Sequence, residues 1–149
     1  MNTHFDDRGV VARRKSAELI VDRAKAFLQR GYAVTFTGDF NSKPDEDAYQ
    51  AVQNSPNSPF VDVVSLFPEK RDTRKYGHFK TYTGFDFREL TKKRIDYVFV
   101  APKENSPWDV RGVSVLETRF DDGTANSDHR PVVADIVLKG IVDVQREDA

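Results

Sequence analysis

The stretch AVTFTGDFN, residues 33–41, joins the pattern of a buried strand to a polar cluster. Its apolar residues alternate with threonines, which predicts a strand over 33–37. Asp39 and Asn41 follow at once and flank Phe40, so both side chains can project the same way from extended or tightly turned backbone. Ligands of α/β sheets bind past the carboxyl ends of strands, where this cluster lies. An ordinary Gly-Asp-x-Asn turn is the alternative interpretation, and it leads when the stretch is taken alone.

A second polar cluster, Ser127-Asp128-His129, precedes a predicted strand over 131–138. A carboxylate beside a histidine can hold a metal ion while the imidazole contacts a substrate. Asp128 could equally cap a turn, and that interpretation also leads for this cluster alone. Asp, Asn and His are together the residue types of metal-assisted phosphoryl chemistry. The carboxylate holds the ion, the amide steadies a phosphate oxygen and the imidazole moves a proton.

Two further residues are candidates for the same chemistry. Asp96 stands inside an apolar strand predicted over 94–100, where a carboxylate is costly unless it has a partner. Arg94 or a neighbouring strand could pair with it structurally, or it could orient a catalytic histidine. His4 lies at the start of the chain, and position alone favours a frayed terminal residue.

The remaining pattern predicts a mixed α/β layered domain with one long helix and mostly antiparallel strands. Apolar residues at helical spacing predict the long helix over 10–30, and Gly31 follows as its C-terminal cap. A short helix is predicted from Ser42, as its N-cap, to Gln53. Further strands are predicted over 80–83, 94–100, 110–118 and 131–138.

The composition indicates one globular domain and excludes several function classes. Hydrophobic residues make up 38% and charged residues 32% of the 149 residues, which is typical of a folded domain. The net charge of −1 gives no global field that attracts nucleic acid. The lack of cysteine excludes disulfides and thiolate metal sites and weakly favours an intracellular location. No apolar run reaches the ~18 residues of a membrane span, and no signal peptide pattern precedes the first helix.

Four segments stand in order along the chain: Asn2-Thr3-His4, Gly38-Asp39-Phe40-Asn41, Arg94-Ile95-Asp96-Tyr97 and Ser127-Asp128-His129. Together they resemble the endonuclease/exonuclease/phosphatase (DNase I-like) family, which includes deoxyribonucleases, deadenylases, inositol phosphate 5-phosphatases and sphingomyelinases. The resemblance implies the C-terminal portion of a four-layer α/β/β/α sandwich. We expect residues 1–140 to form this half of the domain and residues 141–149 to form a polar tail.

The resemblance implies a metal-dependent phosphoester hydrolase, acting on diesters or monoesters. Asp39 looks like the family's aspartate that activates the attacking water and touches the metal. Asn41 looks like its amide partner in the transition state, and Asp128 like the acid near or on the metal. These three residues are the predicted ligands of Mg²⁺ or Mn²⁺.

The resemblance also implies roles for both histidines. His129 looks like the histidine that contacts the scissile phosphate, and Asp96 like the carboxylate that orients it. His4 looks like a second histidine that many, but not all, members carry. The catalytic residues predicted on this basis are listed together: His4, Asp39, Asn41, Asp96 and His129.

One departure from the family pattern leaves an alternative open. The family's first half carries an asparagine and a glutamate that is a principal magnesium ligand, and neither stands before Asn2 here. The chain could therefore be a catalytically incompetent half-domain or pseudoenzyme that acts as a binding or assembly module. It could also pair as a homo-oligomer or with a complementing chain. The substrate would be a phosphate ester, with nucleic acid, inositol phosphate and lipid head groups not distinguished.

Overall fold

The computed structural model describes residues 1–68, 72–88 and 92–139. Within these residues the chain forms two helices, α1 (Val10–Gln29) and α2 (Asp47–Gln53). It also forms seven strands: β1 (Asn2–His4), β2 (Val34–Asp39), β3 (Val61–Asp62), β4 (Lys75–Gly77), β5 (Asp96–Ala101), β6 (Trp108–Val115) and β7 (Val132–Leu138). A 3-10 turn over Val63–Leu66 follows β3. The predicted tail over 141–149 lies outside the described residues.

The strands form two sheets with mostly antiparallel pairing. The first sheet has the order β1-β2-β5-β3 and the second the order β4-β6-β7. β2–β5, β3–β5 and β6–β7 are antiparallel, whereas β1–β2 and β4–β6 are parallel. The parallel pairing of β1 places the ends of β1 and β2 at the same edge of the first sheet.

Two apolar cores separate three layers. Both helices pack on one face of the first sheet, around Phe36 and Phe99, whose rings stack with centroids 6.0 Å apart. The other core lies between the sheets and joins Val100 of β5 to Val113 of β6 and to β7. Burying one such Phe side chain contributes roughly 1.5–3 kcal/mol. The order helices, sheet, sheet is consistent with the C-terminal part of an α/β/β/α sandwich, so the predicted fold class is confirmed.

The first helix ends as predicted, whereas the second begins later. Gly31 has φ +82°, and its N–H donates to the Leu28 carbonyl at 2.9 Å, which closes α1. The prediction of Ser42 as the cap of α2 is wrong. Lys43 N–H donates to Glu46 Oε2 at 2.8 Å, and Glu46 N–H donates back to the Lys43 carbonyl at 3.0 Å. This turn uses the residues that would have formed the first helical turn.

The prediction of a strand over 80–83 is wrong, because the structure has no strand there. Among the described residues, Tyr82 makes only isolated bridges, to Lys93 and to His129. The N–H groups of Thr81 and Tyr82 share one acceptor, the Lys93 carbonyl, at 2.8 Å each. A ladder needs a separate carbonyl for each N–H, so the pairing does not propagate. The segment instead lies between the beginnings of β5 and β7.

The bounds of two other strands differ modestly from the predictions. β5 begins at Asp96 instead of 94. β6 spans Trp108–Val115 instead of 110–118, with a register shift between Val110 and Gly112. In the part of the chain that the structure describes, neither helix has both the length and the apolar character needed to cross a bilayer.

Candidate active site

Three of the predicted residues lie side by side across the first sheet. His4 ends β1, Asp39 ends β2 and Asp96 begins β5. Asp39 is the register partner of His4 on one side and of Asp96 on the other. The topology therefore brings together residues that are 35 and 57 positions apart in the sequence.

Gly38 permits the close approach of β1. Its φ is +157°, and a Cβ atom there would lie 2.1 Å from the Thr3 carbonyl oxygen. Asn2 Nδ2 donates to Thr37 Oγ1 at 2.7 Å, and Phe5 N–H donates to the Asp39 carbonyl at 2.9 Å. His4 thus lies in a paired strand, and the interpretation of a frayed terminus is wrong.

The Asp39–Asn41 segment is both a turn and part of the site. Asn41 N–H donates to Asp39 Oδ1 at 2.7 Å, and Asn41 adopts a left-handed φ of 47°. Asparagine tolerates this conformation better than most residues. Its Nδ2 donates to the Phe5 carbonyl at 3.0 Å, so Oδ1 is the atom of this side chain suited to a cation.

His129 is bonded to Asp96 through one ring nitrogen. Its Nδ1 lies 2.9 Å from Asp96 Oδ2 and 3.1 Å from Oδ1. A carboxylate accepts, so Nδ1–H donates, and this fixes the orientation of the ring. The same hydrogen bond raises the pKa of His129 above its usual value, against the opposing effect of burial. The other nitrogen, Nε2, lies 3.8 Å from Asp39 Oδ2.

Asp39 is a carboxylate that lacks full compensation for its burial. Its side chain is only 11% exposed, and burial raises its pKa, with the nearby Asp96 adding to the rise. The Asn41 N–H, His129 and His4 act in the opposite direction. His4 Nε2 lies 3.4 Å from Asp39 Oδ2. A proton or a cation bound at Asp39 would offset the free-energy cost of burying its negative charge.

A set of metal-ligating atoms converges at this point. One ligand atom each from Asp39, Asp96 and His129 lie within 4.8 Å of one another. Because both Asp96 oxygens lie within hydrogen-bonding distance of His129, Asp39 is the better anchor for an ion. Carboxylate and amide oxygens suit Mg²⁺, which keeps several waters when protein ligands are few, so Asp39 and Asn41 fit such an ion.

Asp128 is placed beside the cluster but outside this trio. Its backbone carbonyl accepts from Thr83 N–H at 2.7 Å, and its charge adds to the field that raises the pKa of His129. Within the described residues its carboxylate is not among the ligand atoms that converge. Its role as a metal ligand stays a prediction.

An open groove runs beside the cluster. It has a volume of about 500 Å³, and its lining includes His4, Asp39, Asp96, Arg130 and the beginning of β7.

The sequence predictions missed the segment that holds the cluster together. Thr81, Tyr82 and Thr83 hydrogen-bond or pack against the residues around Asp96 and His129. The available signal was the pair of threonines flanking a tyrosine in KTYTG, residues 80–84. Without the fold, such a pattern indicates an edge strand as readily as a set of buried hydroxyls.

Comparison with known proteins gives a family match. The model of the "Endonuclease/Exonuclease/phosphatase family" matches residues 2–129. This match spans all four segments on which the resemblance was based. The search of curated proteins gives no significant match.

Solved structures share the fold of this chain, and their own chains are about twice the length that it covers. The chain is 30% identical to the mannosyl-6-phosphatase Bt3783 of Bacteroides thetaiotaomicron, with a TM-score of 0.71 over 92% of this chain and 50% of that one. It is 28% identical to an endonuclease/exonuclease/phosphatase from Bacteroides vulgatus, with a TM-score of 0.73 over 91% and 48%. The human Nocturnin catalytic domain is 18% identical, with a TM-score of 0.65 over 93% and 46%, which shows the fold alone. The chain spans about half the length of these structures.

Proposed function

Because the chain belongs to the endonuclease/exonuclease/phosphatase family, we propose that it hydrolyses phosphate esters at the cluster of Asp39, Asp96 and His129. The observation that carries the proposal is the arrangement of His129 between two carboxylates: Nδ1 lies at hydrogen-bonding distance from Asp96, 2.9 Å, and Nε2 faces Asp39 Oδ2 at 3.8 Å. It joins a proton acceptor, an oriented imidazole and a carboxylate at the edge of an open groove.

Each side chain has a role that follows from its surroundings. Asp39 accepts a proton from the attacking water, because its carboxylate lies at the groove, 3.4 Å from His4 Nε2 and 3.8 Å from His129 Nε2. When the imidazole of His129 is charged, Nε2 carries a proton. This Nε2–H donates a hydrogen bond to a phosphate oxygen. Asp96 holds the imidazole of His129 in place. The hydrogen bond between them raises the pKa of His129 and so favours its protonated form.

His4 and Asn41 complete the proposed site. His4 lies on the far side of Asp39 from Asp96 in the sheet, so it can contact a second phosphate oxygen or the attacking water. Asn41 offers an amide oxygen at the left-handed turn next to Asp39. This oxygen can contact a cation. Nδ2 carries two N–H groups, of which one donates to the Phe5 carbonyl, and it can donate to a phosphate oxygen as negative charge develops there.

We propose Mg²⁺ or Mn²⁺ as the cofactor, held by Asp39, Asn41 and Asp128. When bound, such an ion supplies positive charge that neutralises the phosphate and lowers the pKa of water. The protein provides the carboxylate of Asp39, whose burial is only partly compensated, and the amide oxygen of Asn41. Water or other oxygen ligands would fill the remaining positions.

The substrate we propose is the phosphate monoester of a sugar. The support is the 30% identity to a mannosyl-6-phosphatase over 92% of this chain. The net charge of −1 also argues mildly against tight binding of duplex nucleic acid. A small, singly phosphorylated substrate needs only the local groups at the site.

Hydrolysis assays test this proposal. Mannose 6-phosphate and p-nitrophenyl phosphate represent monoesters, and bis-p-nitrophenyl phosphate represents diesters. Each is incubated with the purified chain and Mg²⁺, Mn²⁺ or a chelator. We expect metal-dependent turnover of the monoesters that Asp39→Ala abolishes. Asp22→Ala, which changes an exposed carboxylate on α1, should leave the rate unchanged. Equal rates for the wild type and Asp39→Ala would refute the proposal.

The alternative function, a binding or assembly module, follows from the span of the match. The chain covers about half of each solved structure, 48–50% of the two bacterial ones named above. A complementing chain or a second copy would then complete the site. Light scattering combined with the hydrolysis assay distinguishes the hydrolase from the assembly module. A compact monomer that is active would exclude any need for a partner.

A further inference from the structure

Thr81 hydrogen-bonds to the beginning of β5 through its side chain. The residue is completely buried, although it lies in the irregular segment between two strands. Its Oγ1 accepts from Ile95 N–H at 3.0 Å and from Asp96 N–H at 3.1 Å. One side-chain hydroxyl thus accepts from two successive N–H groups, an arrangement that a regular ladder does not provide.

The backbone of the same residue hydrogen-bonds to the segment that carries His129. Arg130 N–H donates to the Thr81 carbonyl at 2.6 Å, and Thr81 N–H donates to the Lys93 carbonyl at 2.8 Å. Arg130 is buried, and its Nη1 donates to the Lys80 carbonyl at 3.2 Å. Thr81 therefore contacts the backbone next to both members of the Asp96–His129 pair.

Thr83 and Tyr82 fix the other side of His129. The N–H and Oγ1–H of Thr83 donate to the Asp128 carbonyl at 2.7 and 2.9 Å. The imidazole of His129 packs edge-on against the ring of Tyr82, with centroids 5.0 Å apart. The peptide groups before and after His129 are thus both bonded to residues 81–83.

The geometry points to Thr81 as a positioning residue that sets the distance between Asp96 and His129 in the reaction proposed above. Its hydroxyl fixes Asp96 and its carbonyl fixes the residue after His129, so one buried side chain links both. Valine has the shape of threonine but cannot accept a hydrogen bond, so Thr81→Val would remove the Thr81 acceptor from the buried Ile95 N–H and the partly buried Asp96 N–H. Serine keeps the acceptor and loses only a methyl group.

Three variants separate positioning from packing. Thr81→Val removes the acceptor, and Thr81→Ser keeps it. Thr118→Val is the matched control, because Thr118 is also buried but its hydroxyl finds no hydrogen-bond partner in the described part of the chain. The kcat and KM of the metal-loaded protein are measured for each. The downfield ¹H NMR signal of the His129 Nδ1 proton reports on the Asp96–His129 bond without any turnover.

We expect Thr81→Val to lower kcat roughly tenfold or more with little change in KM, because general acid–base groups must be aligned. It should also lose the imidazole signal. Thr81→Ser and Thr118→Val should keep both. The inference is overturned if folded Thr81→Val matches Thr118→Val in kcat and signal. It is equally overturned if Thr81→Ser is as impaired as Thr81→Val.

Amide hydrogen exchange of the wild type decides the matter if Thr81→Val does not fold. The Ile95 and Asp96 amides should be as protected as those in the middle of β5, and exchange as fast as in an exposed turn would contradict the hydrogen bonds to Thr81. The failure of the proposed function is distinguishable from that of this inference. An inactive wild type refutes the hydrolase, whereas the imidazole signal and the exchange rates still decide the role of Thr81.

Discussion

Asp39 and Asp96 are register partners on adjacent antiparallel strands, and the imidazole of His129 bridges the two carboxylates. Like charges directly opposite each other destabilise a sheet. The arrangement persists because His129 is held by Asp96 and faces Asp39 through its other nitrogen. A fold that keeps such a pair of carboxylates at a groove favours the binding of a proton or a cation there.

Asp39→Asn is predicted to stabilise the protein in the absence of metal. Burial raises the pKa of Asp39, so its ionisation costs more in the folded than in the unfolded chain. That cost is present at pH values above the folded pKa and vanishes below about 3.9, where the carboxyl is protonated in both states. We expect a gain of about 1 kcal/mol at neutral pH, measured by urea unfolding. A loss of stability at pH 7 would show that the carboxylate is well compensated.

The contribution of His129 to stability is predicted to fall as the pH rises. Its pKa is raised above the ordinary value of 6.5 by the hydrogen bond to Asp96. Its stabilising effect is therefore complete below the unfolded pKa and is lost as the pH rises through the folded one. The free-energy difference between the wild type and His129→Gln should be larger at about pH 5.5, below the ordinary pKa of histidine, than at about pH 8.5. A pH-independent difference would contradict the Asp96–His129 bond.

Gly38→Ala is predicted to displace β1 and His4. The new Cβ would meet the Thr3 carbonyl, so the two strands must separate, at a cost of roughly 1–3 kcal/mol. Gly31→Ala is the matched control, because Gly31 also has a positive φ but a Cβ there meets no atom of residues 1–68, 72–88 and 92–139 within 4 Å. Both variants should lose stability, but only Gly38→Ala should lose kcat. Full activity in folded Gly38→Ala would show that β1 does not contribute to the site.

Arg94→Met is predicted to be strongly destabilising. Arg94 Nη2 pairs with the fully buried Asp62 carboxylate, which also accepts from Tyr49 O–H at 3.0 Å. Removing the arginine leaves a buried charge unpaired, which costs roughly 3–5 kcal/mol. The double variant Arg94→Met/Asp62→Asn should recover much of this loss in thermal unfolding. An equal or larger loss in the double variant would contradict the charge-pairing explanation.

The sequence predicted the central strands well because their signals are local. The alternation in 33–37 and the apolar run around Asp96 sufficed to place β2 and β5, and the order of four motifs predicted the layered fold. Gly31 likewise marked the end of α1 through its left-handed conformation.

What the sequence could not predict depends on contacts between distant segments. β1 pairs with β2 because Gly38 permits its close approach. No pattern in residues 2–4 indicates this pairing. The segment over 80–83 has the composition of a strand, yet Thr81 supplies a hydroxyl where a ladder needs a carbonyl. Asp128 stands next to His129 in the sequence, but the convergence of ligand atoms is set by the register of β2 and β5, and it includes Asp96 instead.

The rate of phosphate release by the wild type and by Asp39→Asn tests the central claim most directly. Both proteins are assayed with mannose 6-phosphate and Mg²⁺ after unfolding curves confirm that each is folded. The site predicts that Asp39→Asn lowers kcat by roughly 10²-fold or more although it raises the stability of the metal-free protein. A folded Asp39→Asn protein with the wild-type kcat, or a folded wild type without turnover of any phosphate ester, would contradict it.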